Sequence, residues 1–165
     1  MRPSLLSYDA FVVRFGPVYE ASPWVAEGVW PAVACGDLDD RDALAAAMRA
    51  VVDAASHEQR LALIRAHPQL AVASNMAQAS VDEQRGAGLD RCSPGELADF
   101  ERLNAAYLTR FGHPFIIAVR GLSRRDLLAA FEARLSNEPA AEFDAAIAQV
   151  HRIAGFRLAD LFASE

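Results

Sequence analysis

The sequence predicts an all-α protein, a single compact multi-helix domain over residues 1–165 with one short extended buried segment. Three observations predict it. Helix-start signals recur at Ser22-Pro23, Asp39-Asp40, Ser56 to Gln59, Ser93 to Glu96 and Ser123 to Asp126. Behind them, apolar residues return every three or four positions, as one face of a helix requires. Only Phe115-Ile116-Ile117-Ala118-Val119 has strand character, and a lone strand has no neighbour to satisfy its backbone donors and acceptors. A chain of 165 residues is the length of one ordinary domain and can bury most of its apolar surface in one core.

Taken in order, Ser22-Pro23 supplies a cap with proline at the first helical position and opens a short helix carrying Trp24, Val25, Gly28 and Val29, which Pro31 closes. Asp39 or Asp40 caps the next helix. There Leu44, Met48, Val51, Val52 and Ala55 form one stripe, with Arg41, Arg49 and Asp53 on the outer face. Ser56-His57-Glu58-Gln59 reads as a capping box for a helix that ends near His67, because Pro68 disfavours helical geometry in the residue before it. Ser80-x-x-Glu83 has the same box spacing and reads as the opening of the following helix. Ser93-Pro94-Gly95-Glu96 caps a long helix with Leu97, Phe100, Leu103, Tyr107 and Phe111 inward, closed by Gly112. Ser123 to Asp126 starts another, burying Leu127, Leu128, Phe131 and Leu135. Pro139 opens the last and longest, with Phe143, Ile147, Val150, Ala154, Leu158 and Leu161 inward and His151 on its outer face. The extended segment at 115–119 leaves some main-chain groups without internal partners, which suits it to holding a small polar ligand.

The net charge of −6 comes from 22 acidic and 16 basic residues of interspersed sign, with no basic block to neutralise phosphates. Neither nucleic acid nor an anionic membrane is an expected partner. Cys35 and Cys92 stand far apart in no CxxC arrangement, and Met1-Arg2-Pro3 leads into no apolar run of signal-peptide or membrane-span length. A soluble, reducing, cytoplasmic setting is expected. None of the four histidines has the i, i+4 spacing of a helical zinc pair, and no Asp/Glu cluster resembles an oxygen-ligand site, so no metal is expected. The single glycines form no phosphate loop, and Ser80 lacks the context of a hydrolase elbow.

The chemistry concentrates in Ala66-His67-Pro68-Gln69-Leu70-Ala71, followed by Ser80-Val81-Asp82-Glu83-Gln84 and Ala87-Gly88-Leu89. A histidine at a helix end and a Ser/Glu/Gln group on the next helix bring together one titratable base and three hydrogen-bonding side chains. That is an acid/base site without a metal signature. On spacing alone, Ser80 and Glu83 are equally a plain capping box, and His67 a helix-end partner for carbonyls. His57 lies in a first turn and His113 in the turn after Gly112. Asp9, Glu27 and Asp53 read as solvated charges. Arg157 occupies the apolar side of the last helix, either paired with a carboxylate or reserved for an anionic ligand.

Together these residues resemble the 2-oxo-4-hydroxy-4-carboxy-5-ureidoimidazoline (OHCU) decarboxylases, which carry out the last step from urate to (S)-allantoin. The likeness runs from Ser22-Pro23-Trp24-Val25-Ala26-Glu27 through His67-Pro68, Ser80-x-x-Glu83-Gln84, Ala87-Gly88-Leu89 and Leu103-Asn104-x-x-Tyr107. It continues in Arg110-Phe111-Gly112, Pro114 to Gly121 and the terminal Arg152-Ile153 to Arg157-Leu158 pattern. The resemblance implies an all-helical, cofactor-free carboxy-lyase acting on OHCU and forming a homodimer. It makes His67 catalytic, with Pro68, Ser80, Glu83, Gln84 and the segment Ile116, Ile117, Ala118, Val119 and Arg120 lining the substrate pocket. In this reading Glu83 is a catalytic partner of His67, and Arg157 a carboxylate or charge partner. Two departures bear on loop closure and substrate fit: Gln69 stands where an aspartate is common, and the loop from His67 to Ser80 is shorter, without its Gly-rich and basic portion. His113 stands where Phe is frequent.

Two rival classes are tested by the same residues. A non-catalytic helical interaction module explains the stripes and caps but gives no reason for this grouping of His67, Ser80, Glu83 and Gln84. A metal-dependent ureide hydrolase needs ligands the sequence does not offer.

Overall fold

A computed structural model of the chain describes residues 1–72 and 77–164. Among them every regular element is helical: α1 (Tyr8–Phe15), α2 (Trp24–Ala34), α3 (Arg41–Asp53), α4 (His57–Ala66), α5 (Gln78–Gly86), α6 (Pro94–Phe111), α7 (Arg124–Arg134) and α8 (Pro139–Ala163), with 3-10 turns at Pro3–Leu5, Gly16–Val18 and Leu89–Arg91. The residues group into two compact units. One joins Met1–Ala66 to His151–Glu165, and the other is His67–Val150; α8 runs through the division.

In the first unit, α1 is an element that cap and period reading leaves out. It is short, capped by the Ser7 hydroxyl accepting from the Ala10 N–H at 3.3 Å, and its inward signal is a single i, i+4 pair, Phe11 and Phe15, whose rings stack at 4.7 Å. Pro31 does not close α2 but lies inside it, and Pro23 rather than Ser22 is the N-cap, with no side-chain cap bond. Pro31 removes the donor for the Glu27 carbonyl, yet both residues are exposed, and the fully buried Val33 anchors the turn that follows. Asp40 caps α3 by accepting from the Asp42 and Ala43 N–H groups, each at 2.9 Å. Asp39 instead takes the Ser4 N–H at 2.8 Å and its hydroxyl at 2.7 Å. Leu44, Met48 and Val52 are fully buried, and a Cβ on Gly28 would meet Val51 Cγ1 at 3.0 Å, so glycine permits the close approach of α2 to α3. Ser56 and Gln59 exchange the two capping-box bonds ahead of α4.

In the second unit, Ser93 and Glu96 form the expected box and Gly112, at φ +71°, the expected left-handed cap of α6. Phe100, Leu103 and Tyr107 are buried, whereas Leu97, in the first turn, is 38% exposed. Ser123 and Asp126 box the start of α7. The Phe115 and Phe131 rings stack at 3.9 Å with Tyr107 edge-on to both, so the extended segment enters an aromatic core. Residues 113–119 form neither helix nor strand, and Phe115, Ile116, Ala118 and Val119 are buried.

Candidate active site

His67 is the first residue beyond α4, buried to 7% exposure, and Pro68 follows it. The next three residues are held by side chains of helices. Gln84 accepts from the Ala71 N–H at 3.0 Å and donates through Nε2 to the Gln69 carbonyl at 3.1 Å, while Asn104 donates to the Leu70 carbonyl at 2.9 Å. Ala71 sits at φ +58°, a left-handed conformation that costs about 1–2 kcal/mol for a residue with a Cβ. A strained position held in this way recurs at binding and catalytic sites.

Ser80 and Glu83 are not a capping box. The N-cap of α5 is Ala77, which makes no side-chain cap bond, so Ser80 is already the third helical residue. At positions i, i+3 and i+4, Ser80, Glu83 and Gln84 share one face of the helix. Ser80 and Gln84 are buried and Glu83 is partly so. An amphipathic helix ordinarily turns apolar residues inward; this one turns in a hydroxyl, a carboxyl and an amide, and the amide grips the main chain that follows His67-Pro68. The structure therefore brings the α5 polar face and the His67 loop together. Gln84, read from sequence as a substrate contact, has both ends of its amide engaged with the loop.

In the segment Ile116 to Arg120, Ile117 is partly buried and Arg120 exposed. Two of its main-chain groups are not open to a ligand as expected: the Ile116 carbonyl accepts from Arg134 Nη1 at 2.6 Å, and the Ala118 N–H donates to Gln149 Oε1 at 3.0 Å. Behind them, Glu142 is fully buried and accepts from Arg134 Nε at 2.9 Å, from Asn137 Nδ2 at 2.7 Å and from the Tyr107 hydroxyl. Burial, then the bond to Glu142, pushes the Tyr107 phenol far above its ordinary range. No local pattern announces this cluster, since its members come from α6, α7, α8 and the turn before α8.

A model of the OHCU decarboxylase family matches residues 4–159. The chain belongs to this family. It is 42% identical over 160 residues to the Haloferax volcanii protein named 2-oxo-4-hydroxy-4-carboxy-5-ureidoimidazoline decarboxylase, covering 97% of this chain and 94% of that one. It is 40% identical over 149 residues to the Bacillus subtilis uric acid degradation bifunctional protein, covering 88% of this chain and 29% of that one. A crystal structure of (S)-allantoin synthase superposes with a TM-score of 0.79 at 34% identity, covering 96% of this chain, which spans about half (52%) of that one. A crystal structure of an OHCU decarboxylase in the presence of (S)-allantoin shares the fold, with a TM-score of 0.73 at 23% identity over 95% of this chain and 99% of that one.

The OHCU decarboxylase match runs through both compact units. In the unit without His67, Arg157 is buried and ion-paired to Glu20 at 2.8 Å, with the Pro17 carbonyl at 3.1 Å, which is the paired alternative of the two the sequence left open. His151 is not on an outer face. Its side chain is 7% exposed; Nδ1 meets the Tyr19 hydroxyl at 2.9 Å and Nε2 meets Asp53 Oδ1 at 3.1 Å, beside a cavity of about 300 Å³ lined also by Ala45, Ala46 and Arg49. Burial pulls the imidazole below its ordinary range despite Asp53, and burial, then the Asp53 charge, pushes the Tyr19 phenol above its own. Asp53 is thus a partner rather than a merely solvated charge. Burial alone would raise its carboxyl, but the His151 and Arg49 contacts outweigh that and hold it low. Among the described residues no group of three or more His, Cys, Asp or Glu is placed to hold a metal ion, and no helix is long and apolar enough to cross a membrane. The shortened loop noted from the sequence includes residues 73–76, which lie outside the described residues.

Proposed function

We propose that the chain decarboxylates OHCU to (S)-allantoin in urate degradation, a carboxy-lyase reaction run without cofactor, with residues 1–165 acting as one decarboxylase domain in a cytoplasmic homodimer. The family match over residues 4–159 carries the reading of the reaction, and the buried polar face of α5 against the His67 loop supports the assignment of the site. One match continuous across both units supports the single domain, and the unpaired Cys35 and Cys92 suit a reducing compartment. The homodimer rests on the family resemblance.

The substrate explains why so few groups suffice. Its departing carboxylate sits on a ring carbon that also bears a hydroxyl and adjoins an imine, so the electron pair left by carbon dioxide is delocalised into the ring. The protein has to orient, polarise and reprotonate. His67 takes the hydroxyl proton or returns a proton to one face of the intermediate, a contribution of about 10²- to 10⁴-fold for a positioned group. Glu83 sets the orientation or charge of His67, or binds the ureido N–H groups. Pro68, Ser80, Gln84 and the segment from Ile116 through Ile117, Ala118 and Val119 to Arg120 shape the pocket around ring and ureide. Arg157 is held by its ion pair with Glu20.

The deciding experiment is chiral detection of product from freshly generated OHCU, before and after exhaustive chelation. An (S) excess formed faster than the spontaneous racemic reaction, and unchanged by chelator, is the expected result. A racemate at the uncatalysed rate refutes the reading, and activity lost to chelator and restored by zinc returns the case to the metal-dependent hydrolase.

A further inference from the structure

We propose, on the decarboxylase reading above, that Arg134 and Gln149 are positioning residues of the site: they hold one edge of the 116–118 segment as a neighbouring strand would, leaving its other edge to the substrate. In an extended chain the carbonyl of residue i and the N–H of residue i+2 lie on the same edge, and both main-chain groups of residue i+1 on the opposite one. The Ile116 carbonyl and the Ala118 N–H have that spacing, and each has a side-chain partner, Arg134 Nη1 at 2.6 Å and Gln149 Oε1 at 3.0 Å. A donor from α7 and an acceptor from α8 thereby replace the strand this helical protein lacks. On the opposite edge, the Ile117 N–H and C=O make no hydrogen bond with any described residue. They suit the alternating donors and acceptors of a ureide, whose N–H and C=O groups are adjacent as in a peptide.

The holding is rigid. The rest of the Arg134 guanidinium is engaged by buried Glu142, its face lies 4.5 Å from the Phe115 ring centroid, and Glu142 is itself bound by Tyr107 and Asn137. A guanidinium fork can serve a carboxylate and a carbonyl at once, which a lysine ammonium does not reproduce in the same geometry. The competing explanation is that these bonds only satisfy buried backbone groups. That explanation connects them to stability and not to the face of the intermediate that receives the proton.

The test compares the whole chain with Gln149→Met, which keeps the length and removes the acceptor, Gln149→Glu, which keeps an acceptor, and Arg134→Lys. Readouts are kcat and KM on OHCU, enantiomeric excess of allantoin, and Tm. Expected is a fall in kcat/KM of roughly 2- to 12-fold for Gln149→Met, the range of one net hydrogen bond. The (S) excess should fall with it, and Tm by about 2–12 °C because the buried Ala118 N–H loses its acceptor, with recovery of both kinetic readouts in Gln149→Glu. Arg134→Lys should also lower the (S) excess. Unchanged kcat/KM and (S) excess in Gln149→Met and Arg134→Lys overturns the proposal. So does a loss that follows Tm at constant enantiomeric excess, or a Gln149→Glu variant as impaired as Gln149→Met. A wild-type chain that gives no (S) excess overturns the decarboxylase reading together with it.

Discussion

Replacing Glu83 by Gln separates chemistry from helix punctuation, because α5 begins at Gln78 and Glu83 is its sixth residue, beyond the capping turn. The side chain is only partly buried, in mid-helix, and Glu and Gln have nearly equal helix propensity. The expected stability change is within about 0.5 kcal/mol, or roughly 2 °C in Tm for a chain of this size. If Glu83 is the charge partner of His67, turnover falls by about 10² or more, which is about 2.7 kcal/mol at the barrier and several times the stability effect. His67→Asn should lose at least as much turnover. It removes a buried ring, so its Tm falls further, by about 2–8 °C. His57, exposed in the first turn of α4, supplies the control: His57→Asn should leave both quantities at wild-type values. Initial rates on freshly generated OHCU, with Tm on the same preparations, give the comparison. Near-normal turnover in folded Glu83→Gln and His67→Asn would refute the acid/base assignment.

Two further outcomes concern the frame around the site. The imidazole of His151 titrates lower in the fold than in the unfolded chain. Its stabilisation is therefore complete above the ordinary histidine range and is lost as pH falls, while the unfolded state takes up a proton that the fold resists. Between pH 7 and 5, wild-type Tm should fall more steeply than that of His151→Phe, with the part due to Asp53 lost only at still lower pH; parallel Tm profiles would refute the account. Arg134→Met leaves buried Glu142 without its cation and should cost about 3–5 kcal/mol, roughly 6–20 °C, much of it recovered in Arg134→Met/Glu142→Gln, as thermal unfolding would record.

How far the sequence was legible depended on the range of the interaction that decides each residue. The boxes at Ser56, Ser93 and Ser123 close within three residues, and each appears where the spacing placed it. The end of α4 at Ala66 follows from Pro68, again a neighbour. Ser80-x-x-Glu83 has the same spacing, but a box also needs extended backbone at its first residue, and in this chain Ala77 adopts it, at ψ 148°. His151 shows the opposite limit. It stands four residues after Ile147 and seven before Leu158, hence on their face, and only its polarity argued for solvent. Its partners, Tyr19 and Asp53, are 132 and 98 positions away, so no local pattern could supply them.

The same limit explains why the support of the proposed site was hidden while its candidate residues were visible. His67, Ser80 and Glu83 stand out in the sequence because they group a titratable base with hydrogen-bonding side chains. Arg134 and Gln149 look ordinary in sequence, and Gln84 and Asn104 drew notice there for other reasons, yet all four hold irregular stretches of their unit, 69–71 and 116–118, through main-chain groups. In a sheet protein, a ladder would satisfy such backbone. A helical protein has no ladder to offer, and each extended residue it buries needs a side-chain donor or acceptor brought from a helix. The polar residues so used become inseparable from the geometry of the loops they hold. This is why substituting Gln149, with no direct role in proton transfer, is expected to register first in the handedness of the product.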